Sequence, residues 1–146
     1  MLIPLLLGCF TIFITMGIQV VAVVLLLQHL MRLNSRKNQK QAGIGFKGYV
    51  LSIVLLMLFS GNMVQMAIWA MLFEFLGEFN DFTTAFYHSA VNFASLGYGD
   101  IVMSEKWRLL GALEASNGVL MFGLSTGTLL AVMAYLVNKP IAIIKQ

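Results

Sequence analysis

The stretch Ser95-Leu96-Gly97-Tyr98-Gly99-Asp100 decides how the chain is to be read. It lies between two long apolar runs and follows a short aromatic-rich segment, Asp81 to Ala94. Two glycines flank one tyrosine. Glycine reaches positive φ at little steric cost, so a backbone with glycine at alternate positions can turn its carbonyls the same way. A row of carbonyl oxygens so turned suits a bare, weakly hydrated cation. Such a loop requires a membrane around it, a short helix before it and a span on either side.

Composition supplies the membrane. Of 146 residues, 60% are hydrophobic and 10% are charged, against about 25% charged in a soluble domain. The net charge of +3 is too small and too scattered for a nucleic-acid partner. No nucleophile–base set, metal-ligand spacing or phosphate-binding loop is present, so neither an enzyme nor a cofactor is expected. The single cysteine, Cys9, sits in an apolar run and reads as an inert buried thiol.

Taken outward from the loop, the chain divides into spans. Met1 to about Leu27 exceeds the ~20 apolar residues that a bilayer helix needs. With no basic start and no small-residue cleavage site, it reads as a retained helix rather than a leader. The connection Arg32-Leu33-Asn34-Ser35-Arg36-Lys37-Asn38-Gln39-Lys40, continued by Lys47, holds five of the nine basic residues. Basic loops stay in the cytoplasm, which fixes the topology. A second span starts at Gly48; Asn62 and Gln65, three apart on one face, are expected to bond a neighbouring helix. After the turn Gly77 to Asp81, Asn80 or Asp81 can cap a helix ending near Ala94. That helix is too short to span, so it must dip into the membrane and return. Its negative C-terminal end would favour a cation at the membrane centre. The last span, from about Trp107 to Val137, is followed by Lys139 and Lys145. Trp69 and Trp107 near one boundary and Tyr135 near the other read as interfacial aromatics. The expected topology is a multi-pass cell-membrane protein with its N-terminus outside and its C-terminus cytoplasmic. The expected parts are a peripheral transmembrane helix 1–30, a basic loop 31–47, a pore unit 48–137 and a tail 138–146. Within the pore unit lie helices 48–76, 81–94 and 107–137, with the loop 95–100 between the last two.

The hexapeptide resembles the potassium-channel signature T-V-G-Y-G-D, with Ser95 at the Thr position and Leu96 at the Val position. Phe86-Tyr87-His88-Ser89-Ala90-Val91 resembles the pore helix of that superfamily, and Gly118 falls near the glycine hinge of its inner helix. The run from Trp107 to Glu114 is similar to small bacterial members of the two-helix ion-channel family. The resemblance covers about two thirds of the chain, roughly Gly48 to Val137. It implies an all-α membrane fold of three transmembrane helices, a re-entrant pore helix and a selectivity filter, assembled as a homotetramer in the bilayer. It also implies K+ as the permeant ion, held by the carbonyls of the Ser95, Leu96, Gly97, Tyr98 and Gly99 segment and by the Ser95 hydroxyl. Asp100 then stands at the outer mouth, and the Tyr98 ring packs against the pore helix.

Glu114 lies about two helical turns inside Trp107, where a carboxylate is costly and a functional candidate by default. It is expected behind the filter, bonding the pore helix through Asn92 or His88. Five positions depart from the family pattern, Asn92 and Phe93 among them. Leu96 replaces the usual valine, Ala94 a frequent threonine, and Val91 a glutamate that in some members bonds the aspartate, so Asp100 must find another partner. These departures ground an alternative reading as a weakly selective monovalent cation channel. A non-conducting membrane scaffold or subunit is the alternative from another class. No helix carries periodic arginines, so voltage sensing is not expected, and gating is left to the filter, to Gly118 or to an unknown partner.

Overall fold

The computed structural model describes residues 2–36 and 44–138. Four helices account for most of it: α1, Leu2–Arg36; α2, Ile44–Phe75; α3, Phe82–Phe93; and α4, Arg108–Asn138. No strand occurs among the described residues. Helix α1 continues past the expected end of its apolar run, through Arg32 as far as Arg36, and α2 begins four residues before Gly48. Lys37, Lys40, Lys139 and Lys145 lie outside the described residues.

Three of the helices are long and apolar enough to cross a membrane, over Leu2–Leu30, Ile44–Phe75 and Arg108–Leu136. Their mean hydropathies are 2.5, 1.9 and 1.8. Helix α3, with 12 residues, is only about 18 Å long at the helical rise and cannot cross a hydrocarbon core of about 30 Å. The protein is therefore an all-α membrane protein. Helices α1 and α4 run in the same direction. Gly8 faces Leu110 and Leu113 near their starts, while Leu26 and Val132 share an apolar cluster near their ends. That second cluster also takes Val50, Val54 and Leu58 from the beginning of α2, which runs the opposite way.

Around α3 the packing is aromatic. Met66, Trp69, Ala70 and Phe73 of α2 meet Phe79, Ala85 and Phe93, and α4 adds Leu110 and Met121. Trp69 is fully buried against Phe73, with ring centroids 5.8 Å apart. It is a core residue and not the interfacial aromatic its sequence position suggests, because α3 folds back over this end of α2 and covers it. In lipid, such packing holds helices together by dispersion and shape, since the tails are as apolar as leucine.

Polar side chains fix the register of the first helix. The Gln65 Nε2 amide donates to Gln19 Oε1 at 2.7 Å, and Gln19 Nε2 donates to Ser125 Oγ at 3.1 Å. Four residues earlier on α1, Thr15 Oγ1 accepts from Asn117 Nδ2 at 3.0 Å and gives its own hydrogen back to its helix. Thr11, Thr15 and Gln19 are buried, so α1 turns these three polar residues inward. Gly61 makes room for the clasp, because a Cβ there would stand 3.0 Å from Gln19 Oε1.

Candidate functional site

The candidate site is built where α3 ends. Its start is fixed by Asp81, in extended conformation (φ −147°). The Asp81 carboxylate accepts the Thr84 N–H at 2.9 Å and the Thr84 hydroxyl at 2.7 Å. Those bonds, the backbone one foremost, hold its carboxyl below the ordinary range. Phe79 anchors the preceding turn by packing between Phe73 and the ring of His88, centroids 6.4 and 4.9 Å away.

At the other end the chain leaves α3 through a tight cap. Ser95 N–H donates to the Asn92 carbonyl at 2.8 Å, and Leu96 N–H reaches back to the Val91 carbonyl at 2.9 Å. This is the paired pattern of a helix closed by a left-handed residue. Glycine usually fills that place; here it is Ser95, with φ +56°, the one non-glycine at positive φ among the described residues. Gly97 and Gly99 follow at +61° and +74°. Residues 95, 97 and 99 thus sit in the left-handed region, while Leu96 and Tyr98 do not. Alternation in the sign of φ turns successive peptide planes so that their carbonyls face one side. None of the carbonyls of residues 95–99 accepts a hydrogen bond from another described residue. Five adjacent backbone acceptors are left without a protein donor.

The loop is then tied down on its far side. The Tyr87 hydroxyl donates to Asp100 Oδ2 at 2.6 Å. That bond holds the Asp100 carboxyl below its usual range and raises the Tyr87 phenol. Asp100 thus has a partner that the sequence left unassigned. His88 Nδ1 lies 3.1 Å from the Ile101 carbonyl, and His88 Nε2 lies 2.8 Å from Asn92 Nδ2. A carbonyl only accepts, so Nδ1 carries the ring hydrogen and Nε2 receives the amide. Glu78 closes the frame by accepting both the N–H and the hydroxyl of Ser104 at 2.7 Å.

Helix α4 backs this assembly with Gly111, Glu114 and Gly118, which are three and four residues apart and share a face. A Cβ at Gly111 would stand 3.0 Å from Asn92 Nδ2. One at Gly118 would run into the backbone of Phe93, whose carbonyl carbon lies 2.7 Å from that position. Gly118, marked by sequence as a hinge, is where α4 touches the C-terminal carbonyl of α3, and α4 is helical through it. Between the two glycines Glu114 is fully buried and bonded to the Ser89 hydroxyl. Of the partners expected for it, Asn92 bonds His88 and also interacts with the Glu114 carboxyl, while His88 does not reach it. Ser89 was legible only as one small polar residue in an aromatic helix, and nothing distinguished it from a hydroxyl bonded to its own turn. Tyr98 does not pack on the α3 of its own chain. It is 65% exposed and Leu96 54%, because the inward face of α3 is already filled by His88, Ser89 and Asn92 against α2 and α4.

Three apolar spans, with a short capped helix that ends in a loop of free carbonyls, define an all-α membrane protein. The family model described as "Ion channel" matches residues 52–135, more than half of the chain and all of this site, and the chain belongs to that ion-channel family. No curated protein and no solved structure matches the chain.

Proposed function

We propose that the protein is a potassium-selective channel, a homotetramer whose filter is the loop 95–99 of each chain gathered at a common axis. The observation that carries this reading is the alternation of positive φ at Ser95, Gly97 and Gly99 with the carbonyls of all five residues unbonded. One chain offers one wall of a cage. Four walls replace the hydration shell of K+, and the Ser95 hydroxyl adds the innermost ring. Asp100, steadied by Tyr87, faces the outer mouth. Asn92, His88 and Glu114 support the filter from behind, and bending of α4 at Gly118 is a route to gating alongside an unknown partner.

Unused surface supports the assembly. Only 11% of the apolar window of α4 is buried within the chain, against 33% for α2, which leaves α4 free to meet other copies and line a pore. The exposed Tyr98 and Leu96 side chains find their packing on a neighbouring copy. The basic residues flanking the first two spans support a cell-membrane protein with its N-terminus outside and its C-terminus in the cytoplasm.

The test is cation flux into liposomes holding the purified protein, with K+ and Na+ gradients compared. K+ flux well above Na+ flux and lost in Gly97→Ala is the expected result. Nothing stands near the added methyl, so its effect is conformational, about 1–2 kcal/mol per chain for the left-handed backbone. Equal K+ and Na+ fluxes would favour a weakly selective pore, for which Leu96 in place of valine is the motive. No flux, with Gly97→Ala indistinguishable from wild type in assembly, would favour a scaffold.

A further inference from the structure

The hydrogens around Ser89 can be counted. Its hydroxyl oxygen lies 2.8 Å from the Met66 carbonyl oxygen of α2 and is also bonded to Glu114 Oε1 of α4. A hydroxyl has one hydrogen, and a carbonyl has none to give. If Glu114 were a carboxylate, it too would have none. Three oxygens would then share a single hydrogen, and one of the two contacts would set lone pairs against each other. The site is sealed: Ser89 and Glu114 are both 0% exposed. One further hydrogen, on Glu114 Oε1, makes both contacts bonds.

We infer that Glu114 is a neutral carboxylic acid in the folded channel, donating to Ser89 Oγ, whose own hydrogen goes to the Met66 carbonyl. The relay joins α4 to α3 to α2 directly behind the cap from which the loop 95–100 springs. It makes Glu114 a positioning residue and places no fixed charge there, so cation attraction falls to the carbonyls of the loop.

The surroundings agree. No ion pair to Glu114 occurs among the described residues. On α3, the neutral His88 gives its hydrogen to Ile101. The Asn92 amide bonds His88 and also interacts with the Glu114 carboxyl, although Glu114 Oε2 has no donor at full bonding geometry. Helix α2 contributes Met66 and the buried Trp69 at this level, neither titratable. A fully buried carboxylate facing no cation is an expensive species.

Infrared spectroscopy of the protein in bilayers at neutral pH tests this directly. Glu114 is the one buried member of the six acidic residues, so a carboxylic C=O band can be assigned to it. The expected spectrum shows such a band, shifted in heavy water and absent from Glu114→Gln. Ser89→Ala keeps the carboxyl but removes its acceptor, so the band should move to higher frequency; this arm stands even where Glu114→Gln fails to fold. Absence of the band from wild type, or its persistence unchanged in both variants, overturns the proposal. In flux measurements Glu114→Gln, whose amide N–H can still donate to Ser89, should keep the wild-type K+/Na+ ratio, while Glu114→Leu loses it. The spectroscopic result does not depend on which cation passes, so it can fail while the channel reading stands, and the reverse.

Discussion

Gly118→Ala separates two accounts of one residue. If Gly118 is needed only so that α4 can bend, alanine leaves the closed fold intact and alters gating alone. The structure gives it another duty. The added methyl would stand 2.7 Å from the Phe93 carbonyl carbon and 3.0 Å from its Cα, and closer still to the carbonyl oxygen. Ordinary contact begins near 3.4 Å, so the two helices must part by more than about 0.7 Å, against backbone atoms that have no rotamer to change. Overpacking of this kind costs about 1–3 kcal/mol, from which the gain in helix propensity recovers less than about 1 kcal/mol. Phe93 lies two residues before Ser95, so the displaced segment is the base of the loop. Gly17→Ala is the control: Gly17 is exposed on α1 with nothing within 4 Å of the added atom, and its unfolding temperature should be unchanged or higher. Thermal unfolding in detergent, followed by circular dichroism, should show Gly118→Ala clearly below wild type, with reduced K+ flux. If Gly118→Ala unfolds at the wild-type temperature, the close-contact account is wrong.

Two further outcomes follow from the hydrogen bonds. Gln19→Leu removes both bonds of the Gln65–Gln19–Ser125 chain. At about 0.6 kcal/mol for an average interhelical bond in lipid, the loss is about 1 kcal/mol, read as a lower unfolding temperature; a more stable variant would contradict it. The Asp100 carboxyl, held low by Tyr87, contributes stability at pH values above the 3.8 of a free aspartate, and this is lost as pH falls through the lower folded value. Tyr87→Phe should therefore move the acid limb of K+ flux upward, toward that ordinary value, when the side of the membrane that Asp100 faces is acidified.

The spans, the short helix and the glycine loop were legible because each rests on a local pattern: run length, an aspartate cap, two glycines one residue apart. Asp81 caps α3 and Gln65 bonds a neighbouring helix as their sequence positions suggest, whereas Asn62, on the same face as Gln65, is buried with its Oδ1 unpartnered. The partners were not legible. Nothing local says that Glu114 meets Ser89, or that Tyr87 meets Asp100, because these pairings depend on how far α3 is rotated against α4. Trp69 misled for a related reason. Its distance along α2 matches an interface, but the return of α3 over the same end turns that position into core.

On the proposed reading a single chain is not the working unit, and the pattern of satisfied and unsatisfied polar groups bears on why. Interior side chains of the bundle find partners within the chain, Thr15 with Asn117, Gln65 with Gln19, Ser89 with Met66 and Glu114. Five buried side-chain atoms among the described residues, Asn62 Oδ1 and Asn117 Oδ1 included, do not. The carbonyls of residues 95–99 find none. Backbone acceptors within a membrane must be met by something other than lipid, which leaves protein, water or an ion. Among the described residues no protein donor reaches them, since the α3 face nearest the loop is occupied by its own packing. A donor from another copy would have to reach five acceptors on one side of a short loop, which neighbouring backbones running alongside in the same direction cannot do. Water and cations can, and only when the loops converge is the water thin enough for an ion to shed it. On the proposed reading, the strain at Ser95 and the unpaired carbonyls are therefore one feature: a backbone held open by its cap, its tyrosine and its histidine for a ligand that the chain alone cannot enclose.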